Sequence, residues 1–290
     1  MKILFILFFT LSLTFCVISP GWPGGVHDAA TGYAAHQRGN VDDAIRYYTK
    51  AIEAGDLSSR SLAKIYCNRG IAWEQKGDHN RAIADLTKAI EIKPKLAQAY
   101  NGRGIVWENK GNYDLAIANY TKAIKINPKY ANAYSNRGNV LTKKADYDRA
   151  VGDFTKALEI NPKLAEVYNN RSNVWNRAGD YDKAIADCTK AIEINPKSAA
   201  AYNTRGIAWE LKGQYDKAIT DYTKAIEIDP KAVEAYVNRG DAWSKKGEDD
   251  KAAADFNKAL EINPNLTERY KQHKGELYRD VLKTKTPSDK

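Results

Sequence analysis

Few of the residues that usually carry out chemistry occur in this 290-residue chain. Its four histidines, His27, His36, His79 and His273, are scattered and form no HExxH or other metal-ligand spacing. The three cysteines include no CxxC pair, which excludes a thiol redox motif and a disulfide framework. No GxSxG nucleophile elbow occurs, and no Ser or Cys has a triad-like setting. GRGIVW at Gly102 lacks the last glycine of a dinucleotide fingerprint and sits inside a helical stretch. The expectation is therefore of no catalytic site, no cofactor and no metal.

Long apolar runs are also absent, with one exception. Ile3 to Ile18 is a stretch of sixteen residues without a charge, closed by PGWPGG. It is shorter than the roughly 20 residues that a membrane span prefers and close to a signal-peptide core. Residues 1–24 are read as an export signal with a Pro/Gly linker, cut after Ser19 or Gly21. That places the protein in the periplasm, the cell envelope or outside the cell. The alternative is an uncleaved membrane anchor through residues 3–18. Cys16 raises acylation as in bacterial lipoproteins, but Phe15 stands where the lipobox needs a small residue.

What is present is globular in character. Apolar residues make up 43% and charged residues 28% of the chain, which argues against wholesale disorder. The net charge of +9 favours acidic partners, although most Lys and Arg recur at fixed intervals, as a solvated face would. That interval is 34 residues: Ala82, Ala116, Ala150, Ala184, Ala218 and Ala252 follow it, and Ala44 precedes Ala82 by 38. Seven units result: 25–62, 63–96, 97–130, 131–164, 165–198, 199–232 and 233–266. Four extra residues, Ser59 to Leu62, stand at the first junction. Numbering each unit from its first residue, apolar or small residues at positions 4, 8 and 11 make one helical stripe. A second stripe comprises positions 17, 20, 21, 24, 27 and 28. Small Gly and Ala are expected to let the helices approach, with each Trp at position 11 filling the gap. Gly at position 15 (Gly77, Gly111, Gly179, Gly213, Gly247) suits a left-handed cap, and Pro at position 32 stops the second helix. Cys67 and Cys188, in the second and fifth units, are expected as free thiols.

The third unit, AQAYNGRGIVWENKGNYDLAIANYTKAIKINPK, strongly resembles the tetratricopeptide repeat (TPR), a 34-residue helix–turn–helix. Tyr100, Gly104, Trp107, Ala116, Tyr120, Ala123 and Pro128 carry the likeness. The resemblance implies an all-α fold: a right-handed α-solenoid of seven repeats. An apolar stripe in 267–290 (Tyr270, Leu277, Tyr278, Val281, Leu282) reads as a capping helix before a basic tail. The end units depart from the pattern, with Asp28, Thr31 and Asp56 in the first and Asp249 and Ala253 in the last.

The family resemblance also implies where a ligand sits, since TPR first helices line a groove through positions 2, 5, 6, 9, 12 and 13. Carried onto this chain, positions 5 and 6 supply Asn68, Asn101, Asn136, Asn169, Asn170, Asn203 and Asn238. They are similar to the asparagine ladder of O-linked N-acetylglucosamine transferases, whose catalytic domain has no counterpart here. An amide suits an extended peptide because it both donates and accepts. Positions 9 and 13 of units four and five add Asn139, Asn173, Lys143 and Arg177. Ile71, Ile105 and Ile207, with Glu74, Glu108 and Glu210, stand in units two, three and six. The expected ligand is a protein or peptide with a central acidic residue, held by a basic middle between apolar, acidic sections. No unit has the position-5 Lys of the carboxylate clamp in chaperone-binding TPRs. Nucleic acid is not expected, because the aromatics fall on buried stripes. Membrane contact is expected only through an uncleaved N-terminal segment. The alternative function is a membrane-tethered assembly scaffold working through its outer surface and ends, and an enzyme or polyanion binder is the third reading.

One residue type breaks the apolar pattern. Arg69, Arg103, Arg137, Arg171, Arg205 and Arg239 occupy position 7, where a large apolar residue is usual. Position 23 holds Asp85, Asn119, Asp153, Asp187, Asp221 and Asp255. The first unit lacks both members, with Thr31 and Tyr47. The reading is a structural Arg–Asp pair between helices, with Asn119 as the dissenting case.

Overall fold

The computed structural model describes residues 24–265, in which all regular structure is α-helical. The expected leader, Cys16 and the closing helix within 267–290 lie outside the described residues. Fourteen helices form seven hairpins: α1 (Gly24–Gln37) with α2 (Val41–Glu53), α3 (Ser59–Gln75) with α4 (His79–Ile92), and α5 (Ala97–Asn109) with α6 (Tyr113–Ile126). The series continues with α7 (Ala131–Lys143) and α8 (Tyr147–Ile160), α9 (Ala165–Ala178) and α10 (Tyr181–Ile194). It ends with α11 (Ala199–Leu211) and α12 (Tyr215–Ile228), then α13 (Val233–Lys245) and α14 (Asp249–Ile262). Among the described residues, no helix is long and apolar enough to cross a membrane.

Local chemistry sets the hairpin turns. Gly77, Gly111, Gly179, Gly213 and Gly247 follow their first helices at φ between +75° and +84°, the left-handed region open to glycine. In the fourth repeat Ala145 takes the same role at φ +61°, against the steric preference of its Cβ. Asn40, Asp78, Asn112 and Asp180 then cap the next helix, each side chain accepting the backbone N–H three residues on. The four extra residues at the first junction are not a longer loop. Ser58 caps α3 through the N–H of Ser61, so Ser59 to Leu62 add a turn to that helix.

The described residues divide into two compact units, the division falling between Val140 and Leu141 within α7. In the first, Leu86 packs with Cys67, Ala82, Ala89, Ala99 and Val106, drawn from α3, α4 and α5. Tyr120 packs with Ala116 and Val140. In the second, Tyr222 packs with Ala218, Ile219 and Ala242, and Phe256 with Val237, Ala252 and Leu260. Both units thus build their core where consecutive hairpins stack, the construction of an α-solenoid.

The residue that seats on the position-8 glycine is the one at position 24, not the tryptophan. A Cβ on Gly104 would lie 2.6 Å from the Tyr120 ring, and one on Gly206 would lie 2.5 Å from Tyr222. Repeat five substitutes Ser172 and Cys188, whose Sγ lies 2.9 Å from the Ser172 Oγ. The position-11 tryptophans are only half-buried. A cation from position 19 lies over the ring of Trp73, Trp175, Trp209 and Trp243, at 4.4–4.6 Å. In repeat three that cation is replaced by Leu115, which is 41% exposed. Cys67 and Cys188 are free and buried, and burial pushes both thiols up to about 12.

Candidate functional site

Five of the six position-7 arginines bond to two second helices, their own and the one before. Arg205 Nε and Nη2 donate to the two oxygens of Asp221 at 2.8 Å, and Nη1 donates to Thr189 Oγ1 of the preceding repeat at 3.1 Å. Arg171 (Asp187, Thr155) and Arg239 (Asp255, Thr223) repeat this geometry, and Arg69 forks onto Asp85 while reaching Thr49. Arg137 reaches Thr121 likewise, and Asp153 is buried. Every guanidinium also lies 5.5–5.9 Å from the tyrosine ring three residues earlier. A bidentate pair with this stacking fixes the angle of a hairpin, and the threonine ties it to its neighbour. The hydrogen bond to Asp221 holds the Arg205 guanidinium above its ordinary range.

Repeat three departs from this. Arg103 Nε donates to Asn119 Oδ1 at 2.9 Å and Nη1 to Thr87, but the Asn119 amide turns back to the Leu115 carbonyl. Burial without a carboxylate lowers the Arg103 pKa.

The asparagines belong to a different system. Asn136 Nδ2 donates to Asn101 Oδ1 at 3.2 Å, and Asn238 Nδ2 donates to Asn203 Oδ1 at 3.0 Å. Position 6 of one repeat is thus tied to position 5 of the repeat before it. A second set of ties joins positions 12 and 13: His36 with Gln75, Glu74 with Asn109, and Glu210 with Lys245, at 2.6–2.8 Å. The junction of repeats six and seven carries both rungs, Asn203 with Asn238 and Glu210 with Lys245.

These rungs correct two expectations. Asn101 is only 4% exposed, covered and bonded by Asn136, so it is not an open ligand contact. Glu108 and Glu210 do not make free acidic sections, because each accepts from a buried tyrosine hydroxyl, Tyr120 and Tyr222, at 2.7–2.8 Å. The remaining candidates Asn68, Asn139, Asn169, Asn170, Asn173 and Asn203 are half-buried on α3, α7, α9 and α11, while Lys143 and Arg177 are exposed. The structure joins Asn136 with Asn101 and Asn238 with Asn203, and brings Asn169 within 4.0 Å of Cys188.

At the junction of repeats five and six no position-12 rung forms among the described residues, and the Asn176 Nδ2 donates instead to the Thr204 carbonyl at 3.4 Å. Asn176 stands at position 12 of repeat five, and its partner position holds Leu211, which is 50% exposed. The Asn176 Oδ1 is left buried without a hydrogen-bond partner. Beside Asn176 in sequence, Arg177 is exposed and in no ion pair among the described residues. Sequence reasoning passed over Asn176, Leu211 and the threonines. Departure of positions 12 and 13 from the 34-residue pattern was the available signal for the first two, and the recurring TKA motif for the last.

Comparison with known proteins agrees with this geometry. A model described as "Tetratricopeptide repeat" matches residues 63–96, 131–164, 165–198 and 233–266. Two others, "TPR repeat" and "Tetratricopeptide repeat", match 109–144 with 211–247, and 188–220. Among solved structures, the MamA protein is 28% identical with a TM-score of 0.53, over 59% of this chain and 93% of that one. YrrB, described as a TPR protein with an unusual peptide-binding site, is 27% identical with a TM-score of 0.52, over 62% and 92%. A tetratricopeptide repeat protein from Parabacteroides merdae shares the fold at 21% identity and a TM-score of 0.64, over 90% and 98%.

Proposed function

Because the chain belongs to the tetratricopeptide repeat family, we propose that it is a non-catalytic interaction module that holds an extended peptide or partner segment along its first helices. The observation that carries this is the state of the position-6 amides. Asn136 and Asn238 each spend one N–H on the preceding repeat, and their carbonyl oxygens have no partner among the described residues. An amide fixed in this way meets a peptide backbone already oriented, with an acceptor and a second N–H to offer. The peptide-binding site named for YrrB supports the same reading.

Specificity rests on the departures from the repeat. Arg177 is an exposed cation in no ion pair among the described residues, and Leu211 offers an apolar contact where other repeats place a polar residue. Together with Lys143, this chemistry suits a ligand with an acidic residue near its middle. Crosslinking in the native source followed by mass spectrometry would supply the partner. The double variant Lys143→Glu/Arg177→Glu should then weaken binding at least about tenfold, and unchanged affinity would overturn the reading. Export through residues 1–24 is part of the proposal. Fractionation with N-terminal sequencing tests it: a mature chain starting near Pro20 or Trp22 fits, and an intact Met1 in the membrane fraction points to the anchored scaffold instead.

A further inference from the structure

Repeat three carries a second departure, on the outside of α6. In five repeats the lysine at position 26 pairs with a glutamate at position 29: Lys88–Glu91, Lys156–Glu159, Lys190–Glu193, Lys224–Glu227 and Lys258–Glu261. In repeat three these positions are Lys122 and Lys125, both exposed and neither in an ion pair among the described residues. The same repeat has lost the position-23 carboxylate, since Asn119 stands where Asp85, Asp187, Asp221 and Asp255 fork onto their arginines. Positions 23, 26 and 29 lie on one side of a helix, at i, i+3 and i+6. In a complete repeat, positions 7, 23, 26 and 29 therefore carry two cations and two carboxylates. In repeat three they hold Arg103, Lys122 and Lys125 and no carboxylate.

The geometry at Arg103 says what is missing. In the four complete repeats Nη2 donates to the second carboxylate oxygen at 2.7–2.9 Å. The Arg103 Nη2 has no partner among the described residues, and its guanidinium is held half-buried against Tyr100. A single unpaired surface lysine is ordinarily just solvated. A partly desolvated guanidinium with a spare donor, flanked by two unpaired lysines, is a preorganised acceptor of negative charge. The patch is one repeat wide: Asp85 and Glu91 stand at the same positions of repeat two, and Asp153 and Glu159 at those of repeat four. That width suits one or two carboxylates and not a phosphate backbone, which needs a basic track several contacts long.

We propose that the exposed face of α6 is a docking site for an acidic segment of a partner protein, with a carboxylate on Arg103 Nη2 and others on Lys122 and Lys125. It draws Arg103 from α5 but none of the side chains at positions 5, 6, 9, 12 and 13, and does not depend on a ligand held there. The test uses the full chain, ¹⁵N-labelled, titrated with a hexaglutamate peptide and, in parallel, with inorganic polyphosphate. Hexaglutamate is expected to bind saturably and to move the Arg103 Nε–H resonance together with α6 amides. The variant Asn119→Asp/Lys125→Glu rebuilds what complete repeats carry, so it should fold. It should melt about 2–4 °C higher as the Arg103 pair closes, and bind the peptide at least about tenfold more weakly. Equal affinity in the variant, shifts confined to other helices, or binding of polyphosphate with hexaglutamate inert would each overturn the proposal.

Discussion

Repeats three and six share a skeleton and differ in their charge. Both seat a tyrosine on a glycine, Tyr120 on Gly104 and Tyr222 on Gly206, and both bond its hydroxyl to a glutamate of the first helix. Both place Ile, Trp and Glu at positions 9, 11 and 12 and turn on a left-handed glycine, Gly111 and Gly213. Yet repeat six completes its arginine with Asp221, stacks Lys217 on Trp209 and pairs Lys224 with Glu227. Repeat three has Asn119, Leu115 and Lys125 at those places. The two share what the hairpin needs in order to pack, the glycine, the ring and the buried hydroxyl partner. They do not share the electrostatic finish, so that layer is free to be spent on recognition.

The largest effect should come from the pair itself. Asp221→Ala leaves the Arg205 guanidinium mostly buried beside Tyr202 without a counter-charge, and should cost about 3 kcal/mol in urea unfolding. Asn119→Ala removes only neutral hydrogen bonds and should cost about 1 kcal/mol. Equal losses would dissolve the contrast between the two repeats. Next, Gly206→Ala or Gly104→Ala drives a Cβ into the tyrosine ring and should destabilise by about 1–3 kcal/mol. Combining Gly206→Ser with Tyr222→Cys, the solution of repeat five, should recover part of that loss if the ring is the obstacle. The smallest effect tests the turn that the two repeats share. Gly111→Ala forces a side chain into the left-handed region and should cost about 1 kcal/mol, while Ala145→Gly in repeat four should gain a similar amount. Thermal melts of the reciprocal pair would check both signs.

Much of this architecture is readable from residue spacing. A 34-residue period with small residues at 8 and 20 and a large one at 24 admits only a helix packed on a helix. Glycine at 15 and proline at 32 mark where each helix stops. The joint absence of Arg and Asp from the first repeat pointed to their pairing, because side chains that bond to each other have no separate reason to be kept. The threonine side of the bond was not legible in that way, since Thr at position 25 looks like an ordinary exposed helix residue until the next hairpin is laid against it. Asn101 misled for the same reason. Its position within one repeat is one that the family resemblance assigns to a ligand groove, but the following repeat brings Asn136 over it.

The sequence by itself determined the repeat, the helix ends and the small-residue and aliphatic stripes that face inward, because these follow from the i, i+3, i+4 geometry of a single chain segment and from the backbone preferences of glycine and proline. Only the tertiary structure decided which polar side chains are spent and which remain for a partner. That depends on distances between atoms a whole repeat apart: Asn136 lies within hydrogen-bonding reach of Asn101, while Arg103 Nη2 meets no acceptor among the described residues.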